Sequence, residues 1–335
     1  MDDSAGVRIR TMTAERPEEL KACRPAVCLV LTEVEELAAY EQRLPNAFPM
    51  ESEVRFRFGS DPTCAADQAV DVDVVICSPP LFTRELLLAA KQLRWIHSNA
   101  HGVEQIMIPD VVRSAVDVTS SKGVFTQPVS EHALAMILAL ARTLVPRRGA
   151  PIELEGKTLG LVGLGTIGSA IACKARCLGM KVVAVRRHPN RANPLVDEVW
   201  GPSDLPRLLR MVDVVVLTAA RTPETEGLIG GPELAQMKAS SFLINISRGA
   251  LVDEQALATA LHEGTIAGAA LDVTSSDPSL AESPLHGAPH LLLTPYIAYS
   301  SKEAIDRGVS LAVDNLVRFL SGQPLRNLVD KEQGY

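Results

Sequence analysis

The chain has 335 residues, 47% hydrophobic and 22% charged, with a formal net charge of −7. That length supports two domains, each large enough for its own core. The acidic balance argues against nucleic acid or an anionic membrane as a partner, and apolar runs such as 132–141 are far too short to span a membrane. Residues 1–24 are polar and lack the apolar core of a secretory signal. Short apolar runs then alternate with helical patterns. Strands are predicted over 26–31, 54–58, 72–77 and 95–98, and helices over 34–44 and 82–93. Alternation of this kind builds a parallel α/β sheet. Gln127-Pro128 opens a long apolar helix through Arg142, with Pro128 suited to a first helical turn. A Pro-, Gly- and Arg-rich connector at 146–151 follows. A strand, a glycine turn and a helix over 169–178 come next, then a strand over 181–185. Further strands are predicted over 212–218, 241–246, 266–273 and 291–294. A last helix over 302–320 is expected to cross back to the first domain. The six cysteines (Cys23, Cys28, Cys64, Cys77, Cys173, Cys177) form no Cys-x-x-Cys pair. They are expected to be reduced and mostly buried, in the cytoplasm, with no metal site.

The most informative stretch is Gly163-Leu164-Gly165-Thr166-Ile167-Gly168, a Gly-x-Gly-x-x-Gly turn between a buried strand and a helix. That context marks a dinucleotide site. Gly163 allows the tight turn, Gly165 lets backbone approach a pyrophosphate, and Gly168 lets the helix pack closely. The free N–H groups of the helix, including those at Thr166 and Ile167, face the phosphates. The alternative is a flavodoxin-like turn with no ligand. At the end of the next strand, an NAD site usually carries an acidic residue for the ribose. Here the chain has Arg186, Arg187 and His188. Guanidinium forks suit a 2′-phosphate, so NADP(H) is expected over NAD(H). The alternative is a solvated basic turn.

Several segments together resemble the D-isomer-specific 2-hydroxyacid dehydrogenases, in the branch of glyoxylate/hydroxypyruvate reductases. They are Trp95-Ile96-His97-Ser98, Lys122-Gly123-Val124-Phe125, Ser130-Glu131-His132-Ala133, the glycine turn, Leu243-Ile244-Asn245-Ile246-Ser247-Arg248-Gly249, Ala269-Ala270-Leu271-Asp272-Val273 and Leu293-Thr294-Pro295. The resemblance implies an α/β protein of two Rossmann-like or flavodoxin-like domains, with doubly wound parallel sheets and a cleft between them. It implies a substrate domain of residues 1–125 and 303–335, a dinucleotide domain of 126–302, and a homodimer. It implies hydride transfer between the nicotinamide and C2 of a 2-keto or 2-hydroxy acid. Arg248 then matches the arginine that holds the substrate carboxylate and carbonyl. Its place at a strand C-terminus agrees. Ile246 and Asp272 match cofactor contacts, Asp272 near the carboxamide. Ala100, His101 and Gly102 match the loop whose backbone N–H groups bind the carboxylate.

The chain departs from the family at its acid/base. The family's Pro-His-x-Ala is here Pro295-Tyr296-Ile297-Ala298, and the family's orienting Glu is Asp277, one methylene shorter. Tyr296 and Asp277 are therefore expected, with Arg248, as the catalytic set. A neutral phenol can protonate a developing alkoxide but is a poor base near neutrality. Tyr296 as a packing residue, and His101 as the acid in its place, remain open alternatives. So do a cofactor-binding protein with little turnover and an altered reaction on a related substrate such as a phosphonate. Asp253-Glu254 is expected to cap the helix that follows. His132 is expected to be structural.

Overall fold

Along β1 (Ala26–Leu31), Val27, Leu29 and Leu31 enter one core and Cys28 and Val30 another. A strand buried on both faces belongs inside a parallel sheet covered by helices. The computed structural model, which describes residues 24–48, 54–190 and 193–332, shows that sheet. Most of the polar N-terminus, residues 1–23 with Cys23, lies outside the described residues. β2 (Val54–Gly59), β3 (Val74–Cys77), β4 (Trp95–Ser98) and β5 (Asp117–Ser120) complete it, all parallel, in the order β2-β1-β3-β4-β5. The helix Val34–Ala47 and the C-terminal helix Lys302–Leu320 cover one face through Tyr40, Leu44, Val309, Ala312 and Leu316. The chain beyond that helix closes the far edge. Val329 N–H donates to Val118 O at 2.8 Å, and Leu328 pairs antiparallel with Thr119.

The second sheet has seven strands: β6 (Thr158–Val162), β7 (Lys181–Val185), β8 (Glu198–Trp200), β9 (Val214–Leu217), β10 (Phe242–Asn245), β11 (Gly268–Leu271) and β12 (Leu291–Leu293). Their order is β12-β11-β10-β9-β6-β7-β8, all parallel. That is the doubly wound dinucleotide-binding order with one strand added, and its reversal lies between β6 and β9. The described chain divides into two compact units, changing over between Lys122 and Gly123 and again between Ala304 and Ile305. The sequence reading had put these changes after 125 and after 302. Among the described residues, no helix is long and apolar enough to cross a membrane.

Several elements differ from expectation. β5 and β8 were missed, because Asp-Val-Thr-Ser and Glu-Val-Trp are short and carry little apolar pattern. The helix expected over 82–93 is only Arg84–Ala89, capped by Thr83, whose Oγ1 accepts from Leu86 N–H. The helix after the glycine turn starts earlier, at Thr166. Its buried residues are Gly168, Ile171, Ala172 and Ala175, which leaves Cys173 and Cys177 on the outer face. Cys64 is exposed too, so among the described thiols only Cys28 and Cys77 are buried as expected.

His97, in β4, is completely buried. Ser121 Oγ gives its proton to Ser98 O at 3.1 Å and so accepts from His97 Nε2–H, while Thr119 Oγ1, which accepts the Trp95 indole N–H at 2.9 Å, donates to His97 Nδ1, 2.8 Å away. That fixes the neutral ring with its proton on Nε2, towards Ser121. Burial pushes the imidazole down from 6.5 to about 4. Between those values the unfolded chain carries a proton on this residue that the fold does not. Stability should therefore fall as the pH drops from about 6.5 to about 4, by up to about 1.4 kcal/mol per pH unit from this group. Urea unfolding of wild type and His97→Gln across that range checks this. The variant should show a flatter slope, and equal slopes would contradict it.

Candidate active site

The glycine turn stands at the end of β6, beside the reversal in strand order. Gly163 has φ +101°, and a Cβ there would lie 2.6 Å from Ala219 N, in the chain after β9. Only glycine meets both conditions. Gly168 is confined as well, since a Cβ would sit 2.8 Å from Gly163 O. The helix thus packs on the turn itself. Gly165 is the contrast, because a Cβ there would meet nothing within 4 Å. It caps the helix Thr166–Cys177, and Thr166 and Ile167 form its first turn. Open space over a helix N-terminus of twelve residues fits a pyrophosphate. Arg186 directly follows β7, where its own N–H bonds Trp200 O at 3.0 Å. Arg187 beside it donates to Glu224 at 3.3 Å.

At the end of β10 the turn is made by Asn245. Its side chain accepts from Ser247 N–H at 3.1 Å and donates to Arg248 O at 2.9 Å. Ile246 is buried within this turn. Arg248 is half-buried and donates from Nη1 to Ser247 O. Gly249 follows, where a Cβ would lie 2.2 Å from Thr274 C. The turn after β10 thus touches the chain after β11, backbone to backbone. Glu254 reinforces that contact. It is buried, and its carboxylate accepts from Ser275 N–H at 2.5 Å and from Ser276 N–H at 3.2 Å. Of the expected capping pair, Asp253 does cap the helix Glu254–Glu263 through Ala256 N–H. Glu254 does something sequence reasoning missed.

Asp272, at the end of β11, is buried and saturated. Oδ1 accepts from Thr294 Oγ1 at 2.6 Å and Ile297 N–H at 3.0 Å, and Oδ2 from Ala298 N–H at 3.0 Å. His132 Nε2 lies 3.5 Å from the same carboxylate and 3.0 Å from Thr294 Oγ1. Since the threonine proton goes to Asp272, His132 must donate, so its proton is on Nε2. These bonds pin the segment 294–298, where Tyr296 holds φ +54° and is 59% exposed. The Tyr299 ring lies 5.2 Å from that of Tyr296, tilted at 53°, and meets the Phe125 ring edge-on. Among the described residues, no hydrogen bond joins Asp277 to Tyr296. The short Asp277 side chain closes a turn on Ser279, accepting from N–H at 2.9 Å and Oγ at 2.7 Å, which holds its carboxyl below the usual range. The carboxylate that orders the tyrosine segment is Asp272.

In the other unit, the segment Ala100, His101 and Gly102 follows β4. Ala100 O accepts from Ser121 N–H at 3.0 Å, and Ser98 Oγ accepts from Ala100 N–H at 3.2 Å. Among the described residues, no group of three or more His, Cys, Asp or Glu is placed to hold a metal.

The model of the D-isomer specific 2-hydroxyacid dehydrogenase NAD binding domain matches residues 136–298. A hydroxypyruvate reductase of Blautia hydrogenotrophica is 33% identical over 78% of this chain and 86% of its own length. A D-isomer specific 2-hydroxyacid dehydrogenase family protein of Aeromonas salmonicida superposes with a TM-score of 0.80 at 29% identity, covering 91% of this chain and 99% of its own. An NADPH-dependent glyoxylate/hydroxypyruvate reductase of Sinorhizobium meliloti, solved with citrate, gives 0.77 at 26% identity, covering 92% and 98%.

Removing the Asp272 carboxylate should release the tyrosine segment. Asp272→Ala is expected to lower the unfolding free energy by about 1–3 kcal/mol, the cost of one buried amide left unpaired at Ala298. It should also speed amide exchange over 294–298. Asp277→Ala, in an exposed turn, should do neither. Denaturant titration with hydrogen exchange checks both variants, and matching behaviour would contradict the assignment.

Proposed function

The chain belongs to the D-isomer specific 2-hydroxyacid dehydrogenase family, and from that premise we propose that it reduces a 2-keto acid to the D-2-hydroxy acid with NADP(H), in preference to NAD(H). The observation that carries the reading is one sheet that ends, at β6, in an open glycine turn and, at β10, in a half-buried arginine. Ligands of doubly wound sheets bind at such strand ends.

Gly163, Gly165, Thr166, Ile167 and Gly168 hold the cofactor's pyrophosphate. Ile246 and the segment around Asp272 border it further along. A reduced nicotinamide bound there supplies the hydride. Arg186 and Arg187 face the adenosine ribose. Arg187 shares its charge with Glu224, so Arg186 carries more of the preference for a 2′-phosphate. The similar Sinorhizobium reductase is named as NADPH-dependent, which supports this assignment.

The fork of Arg248 matches a carboxylate and an adjacent carbonyl in one plane. It orients the 2-keto acid and draws electrons from C2. The segment Ala100, His101 and Gly102 takes the carboxylate through backbone N–H groups other than that of Ala100, which Ser98 Oγ already accepts. Tyr296 donates its phenolic proton to the carbonyl oxygen as negative charge builds there. Asp272 takes the orienting role that the sequence had given to Asp277. A cytoplasmic homodimer completes the reading, and the free thiols of the described cysteines accord with a reducing compartment.

NADPH should bind more tightly than NADH, and Arg186→Ala should remove about 1.5–3 kcal/mol from NADPH binding alone. Fluorescence titration of both cofactors checks this, and equal affinities in wild type would contradict it.

Arg248→Lys keeps the charge and loses the fork, so kcat/KM should collapse while cofactor affinity is kept. Tyr296→Phe should lower kcat for reduction by roughly 10²–10⁴-fold without loss of fold. A panel of 2-keto acids, followed at the absorbance of the reduced cofactor, reads both variants. Flat traces for wild type with every keto acid and both cofactors would leave a cofactor-binding protein without this activity.

A further inference from the structure

Four polar side chains meet where the order of the five-stranded sheet reverses. Thr32 follows β1, Ser78 follows β3 and Asn99 follows β4, while Glu36 stands in the first turn of the helix Val34–Ala47. Asn99 is 8% exposed. Its Nδ2 lies 2.6 Å from Glu36 Oε2, 2.9 Å from Ser78 Oγ and 3.0 Å from Thr32 Oγ1. Thr32 donates its proton to the same Glu36 oxygen at 2.8 Å. That leaves Ser78 to donate to Thr32 Oγ1, at 3.1 Å. Every bond in the cluster thus runs, directly or in relay, to one carboxylate oxygen, and the shortest is the charge-assisted one from Asn99.

A neutral acceptor would satisfy a buried amide at less cost. The fold instead half-buries a carboxylate, which pushes Glu36 above the usual carboxylate range against the lowering effect of Thr32 and Asn99. Asn99 is the first residue of the segment whose next three residues, Ala100, His101 and Gly102, are assigned to the substrate carboxylate. Among the described residues its own backbone is held through N–H to Cys77 O at 3.0 Å, while Ser121 N–H and Ser98 Oγ hold Ala100 and Ser98 Oγ also reaches Gly102 O. The side chain adds a further hold on Asn99 itself.

We propose that Glu36 is a positioning residue for the substrate: by tethering the Asn99 side chain it fixes the backbone of residues 100–102 in the geometry that receives a carboxylate. The proposal rests on the reading of residues 100–102 as the substrate segment. It assigns Glu36 to substrate affinity, with no part in hydride or proton transfer.

The test is made on the full-length protein with Glu36→Ala and Glu36→Gln. Glu36→Ala should raise KM for the 2-keto acid about tenfold to a hundredfold, the effect of losing one charge-assisted hydrogen bond. Its kcat and NADPH affinity should stay near wild type. Glu36→Gln, whose amide oxygen still accepts from Asn99, should recover part of the loss. Amide exchange over 99–103 should quicken in Glu36→Ala while β4 stays protected. Unchanged KM with unchanged exchange overturns the proposal, and so does a fall in kcat and NADPH affinity equal to the rise in KM. If wild type reduces no 2-keto acid, the reading of the function fails by itself. The exchange measurement still decides the tether: faster exchange confined to 99–103 supports it, and unchanged exchange overturns it.

Discussion

A carboxylate shut away from water is expensive unless nearly every lone pair finds a donor. Asp272 meets that condition with Thr294, Ile297, Ala298 and the nearby His132. All of these except His132 lie on the segment after β12. The electrostatics of one buried group therefore dictate the path of a whole segment. Tyr296 occupies a left-handed backbone conformation that a non-glycine residue rarely takes. Its neighbours, held by Asp272, leave it little alternative. The exposed phenol is presented by a rigid base, as the proposed role of proton donor requires.

The same economy runs across the neighbouring strand ends. Gly249 brings the turn after β10 onto the backbone after β11, and Glu254 fastens the contact with two amides and the Ser276 hydroxyl. Asn245 shapes the turn from inside. Arg248 is thereby referred to β11, and β11 is referred through Asp272 to the tyrosine segment. Two acidic side chains and one missing Cβ tie three consecutive strand ends into one piece. At β6 a second missing Cβ, that of Gly163, lets the glycine turn close on the chain after β9.

Much of this was legible in the sequence because its causes are local. The glycine turn is read from residue type and spacing, and its neighbours announce strand and helix. Arg186 and Arg248 are found by their places after apolar runs. What was not legible depends on partners far along the chain. Asp272 reaches Thr294 across 22 positions, Glu254 reaches Ser276 across 22, and Asn99 reaches Glu36 across 63. No periodicity encodes such bonds. The turn at Asp277 was not legible either: its short side chain closes on Ser279 two residues away. The strands β5 and β8 escaped because three or four residues, with polar ones among them, carry too little pattern.

On the proposed mechanism a phenol, held in place by Asp272, donates the proton in keto-acid reduction where the family uses an imidazole. The pH dependence of kcat/KM for the best 2-keto acid, measured with saturating NADPH from pH 5 to 11, tests it directly. With a phenol as the donor, the rate should cross the imidazole range without a fall. A fall centred near 6.5, where an imidazole gives up its proton, would contradict the account and place the acid on a histidine.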